Sequence, residues 1–330
     1  MDEKLRKKLE KMHYGIVGDS GAVQICLWTK KAIRGEGFCW KQRFYGISSA
    51  GCCQMSPNVM NCENQCLHCW RPIEFNLGVK VGEVLEPEVL LEGIISERKR
   101  LLNGFLGNKK VDCKVYEDAI EPKIFTMSLS GEPTLYPYLG ELFSLIRKRG
   151  SVSFLVTNGQ NPDAIRRLEK TGFPTQIAVS TNACNERLFN LWHRSCLSDS
   201  WNRFLETLDV IKNLEGKVRR AIRLTLVKKG NDDSADFNSL SNMEEENLSE
   251  YAGLIKRASP DFVHIKGFKS VGYSRDRFGY DKQPWFSEVK DYSLMILDLL
   301  DGDYEFRGEE ENSCIVLLAK KGINLEIVDV

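Results

Sequence analysis

Short apolar runs suited to β-strands alternate with amphipathic stretches suited to α-helices through the middle of this chain. The predicted strands are Lys123–Leu129, Val152–Thr157, Gln176–Ser180, Ala221–Val227 and Phe262–Lys266. The predicted helices are Pro87–Leu106, Pro137–Lys148, Pro162–Lys170, Trp201–Asn213 and Glu245–Ala258. Several of these helices begin with proline, which is favoured in the first turn. The alternation predicts an α/β fold with a parallel sheet, either an open doubly wound sheet or a full or partial βα barrel.

The length and composition fit such a fold. The 330 residues can bury a sizeable core, and 42% hydrophobic with 28% charged residues is ordinary for a globular protein. The apolar runs are far shorter than a membrane span, and the charged N-terminus has no apolar stretch behind it. We expect a cytoplasmic protein with no membrane contact, and we expect it to be a monomer.

Small and polar residues follow three of the predicted strands. SLSGEPTLY overlaps the end of the strand at 123–129, TNG occupies 157–159, and STNA occupies 180–183. Because the carboxyl ends of parallel strands form the functional face of α/β proteins, these segments predict a ligand across one rim of the sheet. The stretch Gly230–Asn242, rich in Asn, Asp and Ser, reads as a loop within the same domain.

Cysteine is concentrated near the N-terminus. Seven of the eleven cysteines are Cys26, Cys39, Cys52, Cys53, Cys62, Cys66 and Cys69. In a chain without a secretory signal this concentration indicates metal binding rather than disulfides. In NCENQCLHCW at 61–70, structural zinc would need a fourth ligand such as His68, whereas an iron–sulfur cluster held by three thiolates leaves one iron open.

Charge is balanced overall but segregated along the chain. Net charge is zero, yet residues 212–230 carry seven Lys/Arg against Glu215 alone. A second basic group lies at 266–282. Such segregation indicates either solvated surface or a basic face for RNA. In the RNA interpretation, Arg219 and Arg220 lie beside the mouth of the barrel and contact the backbone of the nucleic acid.

The CxxxCxxC spacing, as CENQCLHC, resembles the signature of the radical S-adenosylmethionine (SAM) superfamily. The resemblance implies a partial (βα)₆ barrel and a [4Fe–4S] cluster held by Cys62, Cys66 and Cys69, with SAM on the open iron. SGEP is similar to the Gly-Gly-Glu motif of that superfamily, with Ser130 replacing the first glycine. Gly131 and Glu132 complete the match, and Glu132 is then expected to accept hydrogen bonds from the SAM ammonium. Thr157, Asn158 and Ser180 are expected to line the SAM pocket.

Further segments resemble the 4-demethylwyosine synthases, a radical SAM family of tRNA-modifying enzymes. They are CWKQRFYGI, CCQMSP, CLHCWRP, SLSGEPTLYP, VKKGND and HIKGFKSVGYSR. The resemblance implies a second [4Fe–4S] cluster held by Cys26, Cys39 and Cys52, with Cys53 as a neighbouring thiol. It implies that Lys41 binds pyruvate as a Schiff base, and we expect burial and cationic neighbours to lower the pKa of Lys41.

The reaction implied by the resemblance joins two carbons of pyruvate to N1-methylguanosine, 3′ of the anticodon in tRNA-Phe. A 5′-deoxyadenosyl radical removes hydrogen from the methyl group, and the pyruvate carboxylate carbon is lost before the ring closes. The chain resembles the shorter, archaeal-type form, for which an external donor of the flavodoxin or ferredoxin type is expected. Two alternatives are a radical SAM enzyme with another substrate and a zinc-stabilised RNA-binding protein without catalysis.

The expected division of the chain has three parts. An N-terminal extension, residues 1–51, supplies cysteines of the second cluster. The radical SAM barrel spans residues 52–302, and residues 303–330 form a small C-terminal appendage of two strands.

Overall fold

The computed structural model describes residues 1–231 and 239–327 as one large sheet flanked by helices. The strands are β1 (Gly15–Val17), β2 (Gly21–Gln24), β3 (Cys52–Ser56), β4 (Ile124–Met127), β5 (Val152–Thr157), β6 (Gln176–Ser180), β7 (Arg219–Leu226), β8 (Phe262–Gly267), β9 (Tyr304–Glu310) and β10 (Ile315–Lys320). Part of the predicted loop at 230–242 lies outside the described residues.

The helices in the described residues lie mostly between these strands. They are α1 (Glu3–Lys11), α2 (Leu27–Ile33), α3 (Trp40–Tyr45), α4 (Pro87–Leu102), α5 (Cys113–Ile120), α6 (Leu139–Lys148), α7 (Pro162–Thr171), α8 (Glu186–His193), α9 (Ser200–Lys212), α10 (Asn247–Ala258) and α11 (Phe286–Asp298). Short 3₁₀ helices occupy 73–75, 103–107, 133–135, 272–276 and 280–282. None of the helices in the described part of the chain is long and apolar enough to cross a membrane.

Six neighbouring strands, β3 to β8, are parallel and follow one another in chain order. The antiparallel strands β1 and β2 extend one edge, and β10 and β9 extend the other. The sheet is therefore open, and the six parallel strands with their helices form the predicted partial (βα)₆ barrel. Strands from all three predicted parts of the chain belong to this one sheet. The boundaries between the parts, after residues 51 and 302, stay a prediction.

The two faces of the sheet are covered differently. The outer face packs against the long helices in the largest apolar core, which includes Phe125, Leu155 and Ile222. The inner face has a smaller core, which includes Phe154, Ala178, Ala221 and Phe262 and is filled by Phe44 and Tyr45 of α3. Because side chains alternate along a strand, residues two positions beyond this apolar floor also point to the inner face.

Candidate active site

The cysteine loop, defined as residues 57–72, follows β3 and carries Cys62, Cys66 and Cys69. Its backbone is tied to the end of α8, because Gln65 N donates to His193 O at 2.9 Å and Leu67 N donates to Trp192 O at 3.0 Å. Since β3 is the first strand of the parallel set, the loop lies at the carboxyl end of the barrel strands, where the sequence predicted the ligand.

The three thiols of this loop fit a cluster held by thiolates. Burial raises the pKa of Cys62 and of Cys66 well above the ordinary value, and neighbouring anions add to the effect. Metal coordination deprotonates such thiols and removes the repulsion between them. Among the described residues no three His, Cys, Asp or Glu side chains are close enough to share a single ion. The three thiolates of a four-iron cluster bind different irons and so lie further apart.

Donors around the loop point at two of the sulfur atoms. Asn64 N lies 3.4 Å from Cys62 Sγ, and Asn158 Nδ2 lies 3.6 Å from the same atom. His193 Nδ1 lies 3.1 Å from Cys66 Sγ. N–H groups aimed at cluster sulfurs stabilise their negative charge and tune the reduction potential.

His193 is a residue that the sequence analysis did not single out. Burial lowers the pKa of His193 to about 3, so the ring is neutral and carries one N–H. Its Nε2 is buried and has no hydrogen-bond partner among the residues that the structure describes. A buried N–H group without a hydrogen-bond partner costs more free energy than a buried nitrogen lone pair without one. The proton therefore belongs on Nδ1, which donates to Cys66 Sγ. No sequence signal joins two residues 127 positions apart.

His68 is committed to other contacts. Trp192 Nε1 donates to His68 Nδ1 at 2.6 Å, and Asn182 Nδ2 lies 3.2 Å from His68 Nε2. Burial, with the charges of Arg277 and Arg223, lowers the pKa of His68 to about 3. With both ring nitrogens engaged, His68 does not serve as the fourth zinc ligand considered from the sequence.

The SGEP motif packs closely against the start of the cysteine loop. Gly131 has φ +77°, and a Cβ there would lie 2.3 Å from Asn58 O and 2.7 Å from Asn61 O. Glu132 N donates to Asn61 O at 2.6 Å. Only glycine allows this approach and this backbone conformation. Ser130 Oγ donates to Met60 Sδ at 3.1 Å, so this hydroxyl secures the loop in the structure.

Glu132 is a buried carboxylate with its orientation fixed by four donors. Thr134 N, Thr134 Oγ1 and Thr157 Oγ1 donate to Oε1 at 3.1, 2.7 and 2.6 Å, and Asn158 N donates to Oε2 at 2.8 Å. Burial, together with the charge of Glu63, nevertheless raises the pKa of Glu132 to about 7. Glu132 forms no ion pair with the described residues, and the ammonium of a bound ligand can provide the cation that would favour its charged form.

Glu63 was not singled out from the sequence, although it directly follows Cys62. Burial raises the pKa of Glu63, and Asn158 Nδ2 donates to its carboxylate at 3.0 Å. Glu63, within the cysteine loop, and Glu132 thus form two interacting carboxylates. Mutual repulsion raises at least one pKa of such a pair, and a cation placed between them relieves it.

The other predicted pocket residues have different roles in the structure. Thr157 is buried and its hydroxyl is used by Glu132 and by Gly159 N, so it positions the carboxylate. Asn158 links Glu132, Glu63 and Cys62. Ser180 ends β6 on the inner face and is half-buried, beside Arg223 of β7. The three strand ends therefore meet at one rim, as the sequence predicted.

The second cysteine triplet also comes together on the inner face. Cys26 precedes α2 and accepts from Thr29 N at 3.3 Å, while Thr29 Oγ1 donates to the carbonyls of Ser49 and Cys52 at 3.1 and 3.3 Å. Cys39 N donates to Ser49 Oγ at 2.8 Å. Burial raises the pKa of Cys39 to about 12, and the charges of Cys52 and Cys26 contribute. This donor set fits a second cluster of the same type.

The adjacent thiols Cys52 and Cys53 point to opposite faces. Cys52 belongs to the inner core, and its pKa is lowered because Lys41, Thr126 and Arg98 outweigh the effect of burial. Cys53 is fully buried in the outer core, and burial raises its pKa to about 12. Strand alternation thus separates the candidate ligand from its neighbour.

Lys41 extends from α3 into the inner face. Its Nζ lies 2.8 Å from Thr126 Oγ1 and 3.4 Å from Cys52 Sγ. Burial alone would lower its pKa, but the charges of Cys52, Cys39 and Cys26 outweigh burial and leave the pKa raised. The expected lowering was therefore wrong, because the neighbours are anionic rather than cationic. Its position on the inner face agrees with the sequence prediction.

The expected RNA contacts of Arg219 and Arg220 are wrong. Arg220 is fully buried, with Nη2 2.6 Å from Asp261 Oδ1 and 3.1 Å from Glu215 Oε1. Arg219 donates to the carbonyls of Asn324 and Leu325 at 3.1 and 2.8 Å. Both guanidiniums hold the fold together.

The basic group at 266–282 does not form one surface either. Arg277 donates to the carbonyl oxygen of Leu67 at 3.1 Å and therefore supports the cysteine loop. Lys266 points to the inner face, and Lys282 is buried.

Comparison with known proteins decides the family. The model of the radical SAM superfamily matches residues 59–237, and a model for wyosine base formation matches 257–320. A SAM-dependent tRNA 4-demethylwyosine synthase of Pyrococcus abyssi is 37% identical over 98% of this chain and 91% of its own length. The corresponding protein of Methanocaldococcus jannaschii is 33% identical over 96% of each chain. The chain belongs to the SAM-dependent tRNA 4-demethylwyosine synthases.

Solved structures agree with this family. The structure of TYW1 with a lysine-pyruvate adduct bound has a TM-score of 0.83 and 31% identity, covering 99% of this chain and 98% of that one. The crystal structure of archaeal TYW1 has a TM-score of 0.75 and 29% identity, covering 99% and 100%. The radical SAM fold predicted from the sequence is confirmed. Family membership implies SAM and a [4Fe–4S] cluster, and the alternative of a zinc protein without catalysis is wrong.

Proposed function

We propose that this synthase joins two carbons of pyruvate to N1-methylguanosine, 3′ of the anticodon in tRNA-Phe, to form the tricyclic base 4-demethylwyosine. Family membership and the similarity to the TYW1 structure that holds a lysine-pyruvate adduct support the proposal. The observation that carries it is the position of Lys41, whose amine lies on the inner face 2.8 Å from Thr126 Oγ1 and 3.4 Å from Cys52 Sγ.

The cysteine loop would hold the first cluster through Cys62, Cys66 and Cys69. SAM bound there would supply the radical chemistry that an unactivated methyl group requires, which is beyond side-chain acids and bases. The paired carboxylates of Glu132 and Glu63 would receive the ammonium of SAM. Thr157 and Asn158 keep Glu132 oriented, so the cation meets a carboxylate that is already in place.

Lys41 would hold pyruvate by forming an imine. Its neutral amine attacks the carbonyl carbon, a carbon–nitrogen double bond forms, and the carbonyl oxygen leaves as water with the two amine protons. Thr126 Oγ1, 2.8 Å away, fixes the direction of the amine. The raised pKa of Lys41 does not favour its neutral form, so the role rests on position.

Cys26, Cys39 and Cys52 would hold a second [4Fe–4S] cluster next to Lys41. Held there, the cluster would supply a binding group for pyruvate, electron transfer, or both. Electrons would come from an external low-potential donor of the flavodoxin or ferredoxin type.

The test of the proposed reaction is anaerobic incubation with SAM, pyruvate, dithionite and tRNA-Phe carrying N1-methylguanosine, followed by nucleoside mass spectrometry. The expected product is 4-demethylwyosine. SAM cleavage without this product, in the presence of pyruvate and methylated tRNA, would contradict the proposal and favour a radical SAM reaction on another substrate.

Metal content tests the two cysteine sets separately. Reconstituted protein should hold about eight iron and eight sulfide if both sites carry four-iron clusters. Replacing Cys62, Cys66 and Cys69 together by alanine should halve the iron and abolish SAM cleavage. Replacing Cys26, Cys39 and Cys52 should halve the iron while SAM cleavage persists. Continued formation of 5′-deoxyadenosine by the first variant would contradict the assignment of the loop.

Borohydride trapping tests Lys41. We expect labelled pyruvate to be trapped on the wild-type protein, with peptide mapping placing the label at Lys41. Lys41→Arg keeps the charge but cannot form the imine, so it should lose the label and the product while retaining iron and SAM cleavage. Lys31→Arg, on α2 and packed over Trp28, is the matched control and should behave as wild type. Product formation by Lys41→Arg would exclude the imine.

A further inference from the structure

Arg98 is a cation on the apolar face of a helix. The buried side chains of α4 include Leu91, Ile94, Ile95 and Leu102, and Arg98 lies on the same face one turn after Ile94. Its side chain is fully buried. Among the residues that the structure describes it pairs with no carboxylate and donates only to carbonyl oxygens. A guanidinium removed from water without an anionic partner is costly, so its surroundings must compensate for the charge.

The three carbonyls that accept from Arg98 lie next to the second cysteine set. Nη1 donates to Cys52 O and Nη2 donates to Ala50 O, both at 2.8 Å, and Nε donates to Ala119 O at 3.0 Å. Ala119 lies in the last turn of α5, where the carbonyls carry partial negative charge. The planar fork of donors therefore fixes the start of β3 against the end of α5.

The segment that this guanidinium fixes also supports the other two candidate ligands of the second cluster. Thr29 Oγ1 donates to the same Cys52 O at 3.3 Å and to Ser49 O at 3.1 Å. Thr29 Oγ1 also lies 3.3 Å from Cys26 Sγ. Cys39 N donates to Ser49 Oγ at 2.8 Å. All three cysteines are thus connected to one short segment, and a shift of that segment would change the distances between their sulfur atoms.

The charge of Arg98 acts on the thiols of this segment. Burial would raise the pKa of Cys52, but neighbours that include Lys41 and Arg98 outweigh burial and leave the pKa lowered. Burial raises the pKa of Cys53 to about 12, and Arg98 opposes this effect. A four-iron cluster held by three thiolates carries negative charge. Such a cluster would therefore give the buried guanidinium the counter-charge that no described carboxylate supplies.

We propose that Arg98 is a positioning residue of the second cluster, which holds the carbonyl of Cys52 in place and makes the cluster easier to reduce. The inference rests on the proposed function, because it requires a cluster on Cys26, Cys39 and Cys52. Reduction adds one electron to the cluster and breaks no bond, so the negative charge near the guanidinium increases. A nearby cation in a buried site favours the reduced form and makes the reduction potential less negative.

The test is a redox titration of the second cluster by itself. In the full-length protein with Cys62, Cys66 and Cys69 replaced by alanine, the second cysteine set holds the remaining iron, and dithionite supplies the electron. Arg98→Met keeps the length of the side chain but removes the charge. It should shift the one-electron equilibrium at least about tenfold toward the oxidised form, which corresponds to a potential about 59 mV more negative. Electron paramagnetic resonance of the reduced cluster follows the titration.

Three control variants in the same background separate charge from structure. Arg98→Lys keeps the charge but loses the fork of donors, so the melting temperature should fall while the potential stays close to that of the background. Leu102→Ala opens a cavity in the apolar cluster that contains Ala50 and Ala119, so it should lower the melting temperature and leave the potential unchanged. Arg100→Met removes an exposed charge from the same helix and should change neither quantity.

The possible results distinguish this inference from the proposed function. If the background protein binds no iron, the proposed second cluster is excluded and the inference is overturned with it. If iron is bound and Arg98→Met has the potential of the background, the role of Arg98 is overturned while the proposed function stands. A shift in Leu102→Ala as large as that in Arg98→Met would also overturn the role, because the effect would then be structural.

Arg98→Lys decides the outcome if Arg98→Met binds no iron. A cluster in Arg98→Lys with the potential of the background would then support the inference, because the charge alone would have restored the site. Loss of iron from Arg98→Lys as well would overturn it.

Discussion

Replacing Gly131 by alanine tests how tightly the SGEP motif is packed against the cysteine loop. Two effects add in Gly131→Ala. The left-handed conformation at φ +77° costs about 1–2 kcal/mol for a residue with a Cβ. The new Cβ would also lie 2.3 Å from Asn58 O and 2.7 Å from Asn61 O, and relief of such overpacking typically costs about 1–3 kcal/mol. We expect a total loss of about 2–5 kcal/mol.

Gly150→Ala isolates the first effect. Gly150 has φ +64° with no atom within 4 Å of the added Cβ, so only the conformational cost applies. Urea unfolding of both variants, measured by circular dichroism on cluster-free protein, should show Gly131→Ala about 1–3 kcal/mol less stable than Gly150→Ala. After reconstitution Gly131→Ala should also cleave SAM more slowly, because Asn58 and Asn61 must move just before Cys62. Equal stability of the two variants would refute the close contact.

Three further predictions concern residues around the site. Arg220→Gln leaves the buried carboxylate of Asp261 without its cation and should destabilise the fold by about 3–5 kcal/mol. The tRNA affinity of the folded variant should not change. A weakened tRNA affinity in correctly folded protein would restore the RNA-contact interpretation. His193→Phe removes the donor 3.1 Å from Cys66 Sγ and should make the cluster potential more negative in redox titration, whereas an unchanged potential would exclude this hydrogen bond. The pKa of Glu132 is raised to about 7, so this carboxylate becomes protonated at a higher pH than an ordinary glutamate. Because the protonated form cannot pair with the SAM ammonium, SAM affinity should fall as the pH drops below about 7. Calorimetry should show this loss in wild type, whereas Glu132→Gln should bind SAM more weakly and with a smaller pH dependence, because only Glu63 remains to titrate. A pH profile as steep as that of wild type would assign the titration to another group.

The sequence predicted the middle of the fold well because its apolar runs alternate regularly with amphipathic helical stretches. The strand Val152–Thr157 and the strand Gln176–Ser180 have the predicted bounds. The helix predicted to Leu106 ends as an α-helix at Leu102 and continues as a 3₁₀ turn, where Asn103 and Gly104 disfavour the α-helix. The short strands and helices before β4, such as β2 and α3, were not predicted, because this part of the chain lacks the regular alternation of apolar runs and amphipathic stretches.

The sequence by itself determined the chemistry of the first site, because the three cysteines of the loop lie within eight residues and their spacing is visible in the chain. It also supplied Glu132 and Lys41 through local motifs. Only the tertiary structure decided which carboxylate faces Glu132, which donor reaches Cys66, and that Arg220 is fully buried. A run of basic residues on one strand alternates between the two faces of the sheet. What each charge meets there is therefore set by helices and strands distant in the chain, such as Asp261 for Arg220, 41 residues away.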